Sequence, residues 1–228
     1  MRIADFKCGF KIAPKKSDRN SFVNRKCLFY WVGGIILAAI LIGAAFYFDE
    51  AMRAFVAQHQ NRTVKIFMRN ISRLGDWTEH FAAGVGLLGL AWWWRSRKWT
   101  RVFFAMLVAL ALAGASARVV KIAAGRARPS VKTEQVWNGV KFSSRYHAFP
   151  SGHVAASTAF FAALALANWR IGFLCLPIPL LIGFSRMYVA AHYLSDVICA
   201  AVLGILCALA ACFLLRKIDK SPAASAGV

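Results

Sequence analysis

A helix is predicted to begin at Phe149-Pro150-Ser151-Gly152-His153, where a polar stretch gives way to apolar Val154-Ala155-Ala156. Pro150 and Ser151 are typical of a loop that ends in a helix cap, and Gly152 lets the backbone approach another group closely. The free N–H groups of a first helical turn and the helix dipole both favour a negative charge, so this turn suits an anion. His153 would stand beside that anion as a proton donor.

The apolar residues of the chain lie in six blocks that carry almost no charge. The blocks are residues 31–48, 81–94, 102–120, 154–169, 171–184 and 189–215. A helix needs about 20 apolar residues to cross a bilayer core, and several blocks reach that length. With 59% hydrophobic residues and a mean hydropathy of +0.53, the chain is too apolar for a soluble domain. The sequence predicts an all-α polytopic membrane protein with six transmembrane helices.

The segment before the first block is rich in Lys and Arg, which the positive-inside rule assigns to the cytoplasm. Residues 1–28 are therefore predicted to form a basic cytoplasmic tail, 29–216 the six-span domain and 217–228 a short cytoplasmic tail. The first block is longer than the apolar core of a signal peptide and follows a polar tail. We expect it to remain in the protein as a signal anchor.

The formal net charge of +20 raises the question of a nucleic-acid partner. No nucleic-acid-binding motif occurs, and most basic residues lie close to a block end, so anionic lipid headgroups and an anionic substrate are the predicted partners. Of the six Cys, four lie inside blocks and two in the amino-terminal tail. The sequence therefore predicts neither a disulfide nor a zinc site.

Residues 51–73 alternate apolar and basic side chains in a pattern typical of an amphipathic helix on a membrane surface. A solvated helix that covers its neighbours is an equally good interpretation. Asp49 and Glu50, just before it, are predicted only to close the first span. Gly75-Asp76-Trp77 is predicted to turn the chain into the second span.

Lys121 and Arg128 follow each other at a spacing of seven residues near the end of the third block. If the helix continues to Pro129, two turns place both cations on one helix face. Counting blocks puts the ends of the third and fifth on the same side of the membrane as the starts of the fourth and sixth. Lys121, Arg128 and the turn at Ser151 are therefore predicted to share one membrane face.

A third group, Ser185-Arg186 followed by His192 and Asp196, falls on that same face. His192 and Asp196 are four residues apart, so on a helix the carboxylate can take the proton of one ring nitrogen and leave the other free as a nucleophile. Arg186 can bring a planar guanidinium to the same anion. Each piece alone also fits a structural role, and only their joint placement favours a site.

Metal binding is the competing interpretation of His153, His192 and Asp196. Lys121, Arg128 and Arg186 would repel a divalent cation, and the chain has only nine acidic residues. We therefore predict no metal and no other cofactor. Three cations, a helix N-terminus and two histidines suit phosphoryl transfer, in which charge spreads over the equatorial oxygens.

The sequence Lys121-x6-Arg128-Pro129, the turn Pro150-Ser151-Gly152-His153 and the pattern Ser185-Arg186-x5-His192-x3-Asp196 occur in this order. Together they resemble the three-part signature of the type 2 phosphatidic acid phosphatase (PAP2) superfamily, over about residues 75–215. The resemblance implies a haloperoxidase-like helical core and a metal-independent mechanism near the membrane surface.

The resemblance also implies a role for each site residue. His192 would attack phosphorus and form a phosphohistidine, with Asp196 orienting the ring and stabilising its charge. His153 would protonate the leaving oxygen and later activate water. The groups implied to hold the phosphate oxygens are Lys121, Arg128, Ser151, Gly152 and Arg186.

The compact six-span form is similar to bacterial lipid A, undecaprenyl pyrophosphate and phosphatidylglycerophosphate phosphatases. The basic segment 51–73 favours a headgroup with more than one negative charge, so we expect lipid A, at its 1-phosphate, to be the substrate. Lys and Arg are slightly more numerous in the segments assigned to the cytoplasm, which places the site on the periplasmic face of a bacterial inner membrane. The sequence leaves the oligomeric state open.

Three other functions use the same residues. A phosphotransferase would pass the phosphoryl group to a second lipid, and the sequence does not distinguish it from a hydrolase. A soluble-substrate phosphatase or a vanadate-binding haloperoxidase is disfavoured by the six apolar blocks. A non-catalytic phospholipid-binding protein would need the cations but neither a nucleophile nor an acid.

Overall fold

The computed structural model describes residues 25–131 and 133–219, which are helical apart from their turns and one long loop. The α-helices are α1 (Arg25–Tyr47), α2 (Asp49–Gln58), α3 (Arg62–Leu74), α4 (Trp77–Trp93), α5 (Arg97–Ala124), α6 (Gly152–Ala167), α7 (Trp169–Cys175), α8 (Pro177–Tyr188) and α9 (Leu194–Asp219). A short 3₁₀ turn at Ser144–Tyr146 lies in the loop between α5 and α6. Most of the predicted tails 1–28 and 217–228 lies outside the described residues, so those assignments remain predictions.

The core forms where α5, α6 and α9 pack together. Each of these helices presents alanines one or two turns apart, and all of them are almost fully buried. They are Ala109, Ala113 and Ala117 of α5, Ala155, Ala159 and Ala163 of α6, and Ala200, Ala208 and Ala211 of α9. Small side chains let helix backbones approach closely, which is how helices associate when the surrounding solvent is as apolar as the core. The helices that carry Lys121, His153 and Asp196 therefore pack directly against one another.

Four helical segments are long and apolar enough to cross a membrane: Leu28–Tyr47, Arg97–Ala124, Trp169–Tyr188 and Leu194–Lys217. The other two predicted spans correspond to α4 and α6, which have 17 and 16 residues. The all-helical class is confirmed, whereas the count of six spans is not, because four segments of the described residues have full spanning length. Pro177 divides the fifth predicted span into α7 and α8, since Pro cannot donate the backbone hydrogen bond that a continuous helix requires.

The amphipathic segment 51–73 forms two helices rather than one. α2 ends at Gln58, and Asn61 caps the start of α3 by accepting a hydrogen bond from the Thr63 N–H at 2.8 Å. The corner between them is attached to the end of α8: the Tyr188 hydroxyl accepts from the Asn61 N–H at 3.0 Å. Gln60 donates to the Tyr188 carbonyl at 2.7 Å. This attachment fixes α2 and α3 beside the segment that leads to His192.

α5 ends at Ala124 and does not continue to Pro129. Gly125 adopts a left-handed conformation with φ of 52° and terminates the helix. A Cβ at this position would overlap the Gly139 carbonyl oxygen, so both the backbone conformation and the loop packing require glycine. The prediction that Lys121 and Arg128 share one helix face is therefore wrong, because Arg128 lies in the loop that follows.

Candidate active site

The loop before α6 holds two of the predicted site residues through its backbone carbonyls. The Lys121 ammonium donates to the carbonyl oxygens of His147 at 3.1 Å and Pro150 at 2.5 Å. The Nδ1 of His192 lies 2.6 Å from the Ala148 carbonyl oxygen. The loop 147–150 therefore joins the first motif to the third, and places the second motif between them.

The protonation of the His192 ring follows from that contact. A carbonyl oxygen only accepts hydrogen bonds, so Nδ1 carries the proton and Nε2 keeps its lone pair. Burial lowers the pKa of His192 to about 3, and the nearby Asp196 carboxylate opposes this shift. The ring is therefore uncharged at neutral pH. An uncharged imidazole with Nδ1 held by hydrogen bonding presents Nε2 as a nucleophile.

Asp196 is fully buried and lies beside the same nitrogen, but it is not the nearest acceptor. Its Oδ2 is 3.6 Å from Nδ1 of His192 and 2.8 Å from the Tyr193 N–H, from which it accepts a hydrogen bond. His192 precedes the first residue of α9, so the pair spans a helix start rather than a helix face. The carboxylate can thus stabilise charge on the ring. The Ala148 carbonyl accepts the hydrogen bond from Nδ1 that was predicted for Asp196.

Three buried polar atoms of the predicted phosphate-binding residues have no hydrogen-bond partner among the described residues. They are Nε of Arg128, Nε of Arg186 and Oγ of Ser151. Buried polar groups are nearly always paired, so unpaired groups in one cluster indicate a ligand site. Burial lowers the pKa of Arg128, but a guanidinium stays charged at neutral pH. The donor set fits an oxyanion such as phosphate.

The end of α3 and the turn before α4 contact two of the predicted site residues, Arg186 and His153. Ser72 accepts a 2.6 Å hydrogen bond from the Arg186 guanidinium, and Asp76 lies 3.2 Å from Nε2 of His153. A Cβ at Gly75 would lie 3.2 Å from that of His153, so glycine permits this approach. The sequence pattern predicted only a turn at Gly75-Asp76. The chain has only nine acidic residues, so the position of Asp76 at the start of a span was the feature that could have indicated a functional role.

A buried ion cluster supports Asp196 from its other side. The Arg126 guanidinium donates to Asp196 Oδ1 at 2.5 Å, to Ser195 Oγ at 2.7 Å and to Asp49 Oδ2 at 2.7 Å. Arg126 and Asp49 are both buried. The sequence pattern predicted no role for Arg126 and only a span end at Asp49. Nothing in the spacing of the motifs pointed to a contact between residues 77 positions apart.

The turn from α8 to α9 brings Arg186 and His192 to the same region. The Ala191 N–H donates to the Arg186 carbonyl at 3.1 Å, and Ala190 adopts a left-handed conformation with φ of 55°. A cavity of about 120 Å³ opens beside His192, between this turn and α2. Its lining includes Met52, Arg53, Gln60, Pro129 and Met187. This volume holds about four water molecules or a small part of a headgroup.

Residues 102–219 match the profile of the PAP2 superfamily, and this stretch contains all eight predicted site residues. The chain belongs to the PAP2 superfamily. The family assignment made from the three motifs is thereby confirmed. Asp49, Ser72 and Asp76, which complete the site of this PAP2 protein, lie outside the matched stretch.

Two relatives named lipid A 1-phosphatase resemble this PAP2 chain in sequence. The protein from Rhizobium johnstonii is 41% identical over 96 residues, which cover 40% of this chain and 38% of the relative. The protein from Rhizobium etli is 36% identical over 104 residues, which cover 43% of this chain and 44% of the relative. The matched part is less than half the length of either relative.

Two crystal structures have the same fold. Aquifex aeolicus LpxE has a TM-score of 0.56 at 20% identity, over 72% of this chain and 93% of that one. A transmembrane PAP2-type phosphatidylglycerolphosphate phosphatase from Bacillus subtilis has a TM-score of 0.62 at 20% identity, over 83% of this chain and 97% of that one. At this identity the likeness establishes the PAP2 fold alone.

Proposed function

We propose that this chain is a membrane lipid phosphatase that releases phosphate from a lipid headgroup through a phosphohistidine at His192. One observation carries the proposal: an uncharged His192, with Nδ1 fixed on Ala148, lies in the same cluster as the unpaired buried donors of Arg128, Ser151 and Arg186. A nucleophile beside a cationic oxyanion site is what phosphoryl transfer to an enzyme requires. Membership of a phosphatase family supports the same class of enzyme.

The proposed reaction proceeds in two displacements at phosphorus. Nε2 of His192 forms a bond to phosphorus while the bond to the leaving lipid oxygen breaks, and His153 gives that oxygen its proton. Water then attacks phosphorus, His153 accepts a proton from it, and the P–N bond breaks to restore neutral His192. Lys121, Arg128 and Arg186 offset the charge on the phosphoryl oxygens in both steps.

Asp76 supports the part of His153 in this scheme. Its carboxylate faces Nε2 of His153 at 3.2 Å, so this nitrogen carries a proton. An adjacent carboxylate favours the protonated imidazole, which a general acid needs before it can donate. Burial of the ring and the positive charges of Arg186, Lys121 and Arg128 favour the neutral imidazole, and the Asp76 carboxylate opposes them.

Lipid A, at its 1-phosphate, is the substrate that we propose. Both relatives carry that activity in their names and are 41% and 36% identical in the matched part. The α2–α3 segment adds exposed Arg62, Arg69 and Arg73 near the site, which suits a headgroup with several negative charges. Undecaprenyl pyrophosphate and phosphatidylglycerophosphate remain alternative substrates, and a second lipid remains an alternative phosphoryl acceptor.

Phosphate release by the purified protein in detergent tests this proposal. The substrates are lipid A, undecaprenyl pyrophosphate, phosphatidylglycerophosphate and phosphatidic acid, each assayed with and without EDTA. We expect fastest release from lipid A and an unchanged rate with EDTA, because the site uses fixed cations in place of a metal. Loss of activity with EDTA would contradict the mechanism. Release only after addition of an acceptor lipid would identify a phosphotransferase.

We further propose that α4 and α6 also cross the membrane, which gives six spans, and that the site faces the periplasm of a bacterial inner membrane. The basic residues that flank α4 and α5 at 95–101 support a cytoplasmic position for that loop. The exposed Phe142 lies in the loop 125–149 on the site's side. In intact spheroplasts, Phe142→Cys should react with a membrane-impermeant maleimide and Lys98→Cys should not. The reverse pattern would contradict the orientation.

A further inference from the structure

Arg126 joins two carboxylates that are far apart in sequence. One Nη donates to Asp196 and Ser195, and the other donates to Asp49 at 2.7 Å. The guanidinium is also covered by aromatic rings, with its central carbon 4.2 Å from the Tyr193 ring centre and 4.7 Å from that of Trp137. Such a planar, two-armed group holds carboxylates in fixed relative positions.

Asp49 also caps the helix that carries Asp196. Its Oδ1 accepts from the Ser195 N–H at 2.8 Å and its Oδ2 accepts from the Ser195 hydroxyl at 2.6 Å. The Asp196 carboxylate reaches back to the Tyr193 N–H, as the third residue of a helix does in a capping box. Asp49 thus satisfies a first-turn donor of α9 from a different helix, α2, and fixes the position of that turn.

We propose that Asp49 and Arg126 are positioning residues that set the place and the effective charge of Asp196 beside His192. This inference rests on the proposed function, since it concerns the charge that His192 gains when it is phosphorylated. Arg126 occupies an unspecified position of the first motif, and Asp49 lies outside all three motifs and outside the stretch that matches the PAP2 profile.

The physical effect has two parts. Arg126 shared between two carboxylates leaves a net negative charge, so Asp196 retains charge to stabilise the phosphorylated ring. If Asp49 is neutral, Arg126 pairs with Asp196 alone and offsets that charge. The capping bonds of Asp49 additionally fix the first turn of α9, on which the distance from Asp196 to His192 depends. Among the described residues, the unpaired side-chain atoms of Arg128, Arg186 and Ser151 take no part in these contacts, and the backbone N–H of Ser151 donates to the Asp196 carbonyl at 3.1 Å.

The test compares Asp49→Asn with Glu79→Gln, which removes one negative charge from an exposed position at the start of α4. Asn keeps an oxygen that can accept from the Ser195 N–H but removes the charge next to Arg126. We expect Asp49→Asn to lower kcat about 10- to 100-fold, the range seen for residues that orient reacting groups, with KM within about twofold. Glu79→Gln should retain the wild-type kcat.

Three further measurements separate positioning from a general structural role. Inhibition by inorganic phosphate should be unchanged in Asp49→Asn, because the phosphate-binding donors are intact. Formation of the phosphoenzyme in rapid quench should slow by the same factor as kcat. The double variant Asp49→Asn/Arg126→Gln should be no slower than Arg126→Gln alone, because asparagine can keep the cap on the Ser195 N–H and the charge of Asp49 acts through Arg126. If Asp49→Asn does not fold, Arg126→Lys is assayed for the same kcat loss.

Two results would overturn the inference. One is a kcat for Asp49→Asn equal to that of Glu79→Gln. The other is a loss of phosphate inhibition in parallel with kcat, which would indicate general damage to the site. Failure of the proposed function is a separate outcome, since the wild-type protein would then release no phosphate from any lipid tested.

Discussion

Replacing His192 with alanine is expected to reduce phosphate release by at least about 10³-fold, because the variant has no nucleophile to form the phosphoenzyme. The ring is the group that the structure prepares for this role, through burial and the 2.6 Å contact of Nδ1 with the Ala148 carbonyl oxygen. Protein incubated with ³²P-labelled substrate and quenched in alkaline detergent, in which a phosphohistidine is stable, should carry label on the wild type and none on the variant. Asp196→Asn should lower the rate less than this.

His59→Ala is a matched control, since His59 is exposed and its ring, within the part of the chain that the structure describes, hydrogen-bonds to the Phe55 carbonyl of the preceding turn. It should retain the wild-type rate and the label. A labelled His192→Ala protein, or one that turns over at the wild-type rate, would exclude His192 as the nucleophile. Size-exclusion chromatography and thermal unfolding of both variants are compared with those of the wild type. This comparison distinguishes a loss of activity from a loss of folding.

Replacing Arg186 with alanine is expected to lower kcat/KM about 10²- to 10³-fold, the loss typical of one preorganised donor to a developing oxyanion. Arg186 lies at the end of α8, with one Nη on Ser72 and a buried Nε that has no partner among the described residues. Arg186→Lys should recover part of the loss, because an ammonium restores the charge but not the two-armed geometry.

Arg170→Ala removes an exposed arginine at the opposite end of the α7–α8 pair and serves as the control. It should leave kcat/KM within about twofold of the wild type, since exposed charges away from a site contribute little. Equal losses in Arg170→Ala and Arg186→Ala would mean that overall charge near the membrane determines the rate. That result would contradict a specific contact between Arg186 and the phosphoryl group.

The motifs of the sequence predicted which residues meet, but not how the first of them is built. Lys121 and Arg128 lie in one cluster because the loop 125–149 folds back over the end of α5, and not because one helix face carries both. Glycine next to apolar residues gives no decisive signal for a helix end. The left-handed Gly125 becomes necessary only when the loop carbonyl of Gly139 packs against it.

Asp49 and Asp76 were missed for a different reason. Each lies at a helix start, where an acidic residue is ordinarily explained by the helix dipole alone. Their partners, Arg126 and His153, are 77 residues away in both cases. Only packing of α2 and of the α3–α4 turn against the motif-bearing helices brings them together.

The sequence by itself predicted the helical class, the family and the eight residues that we propose for the site. Apolar runs long enough to cross a bilayer are visible in composition, and the three motifs together match the PAP2 signature. The tertiary structure alone decided that the Ala148 carbonyl accepts the hydrogen bond from Nδ1 of His192. It also decided that Arg126 links the carboxylate of Asp196 to that of Asp49. These contacts join residues from distant segments through backbone carbonyls and buried charges, and no local pattern encodes such a contact.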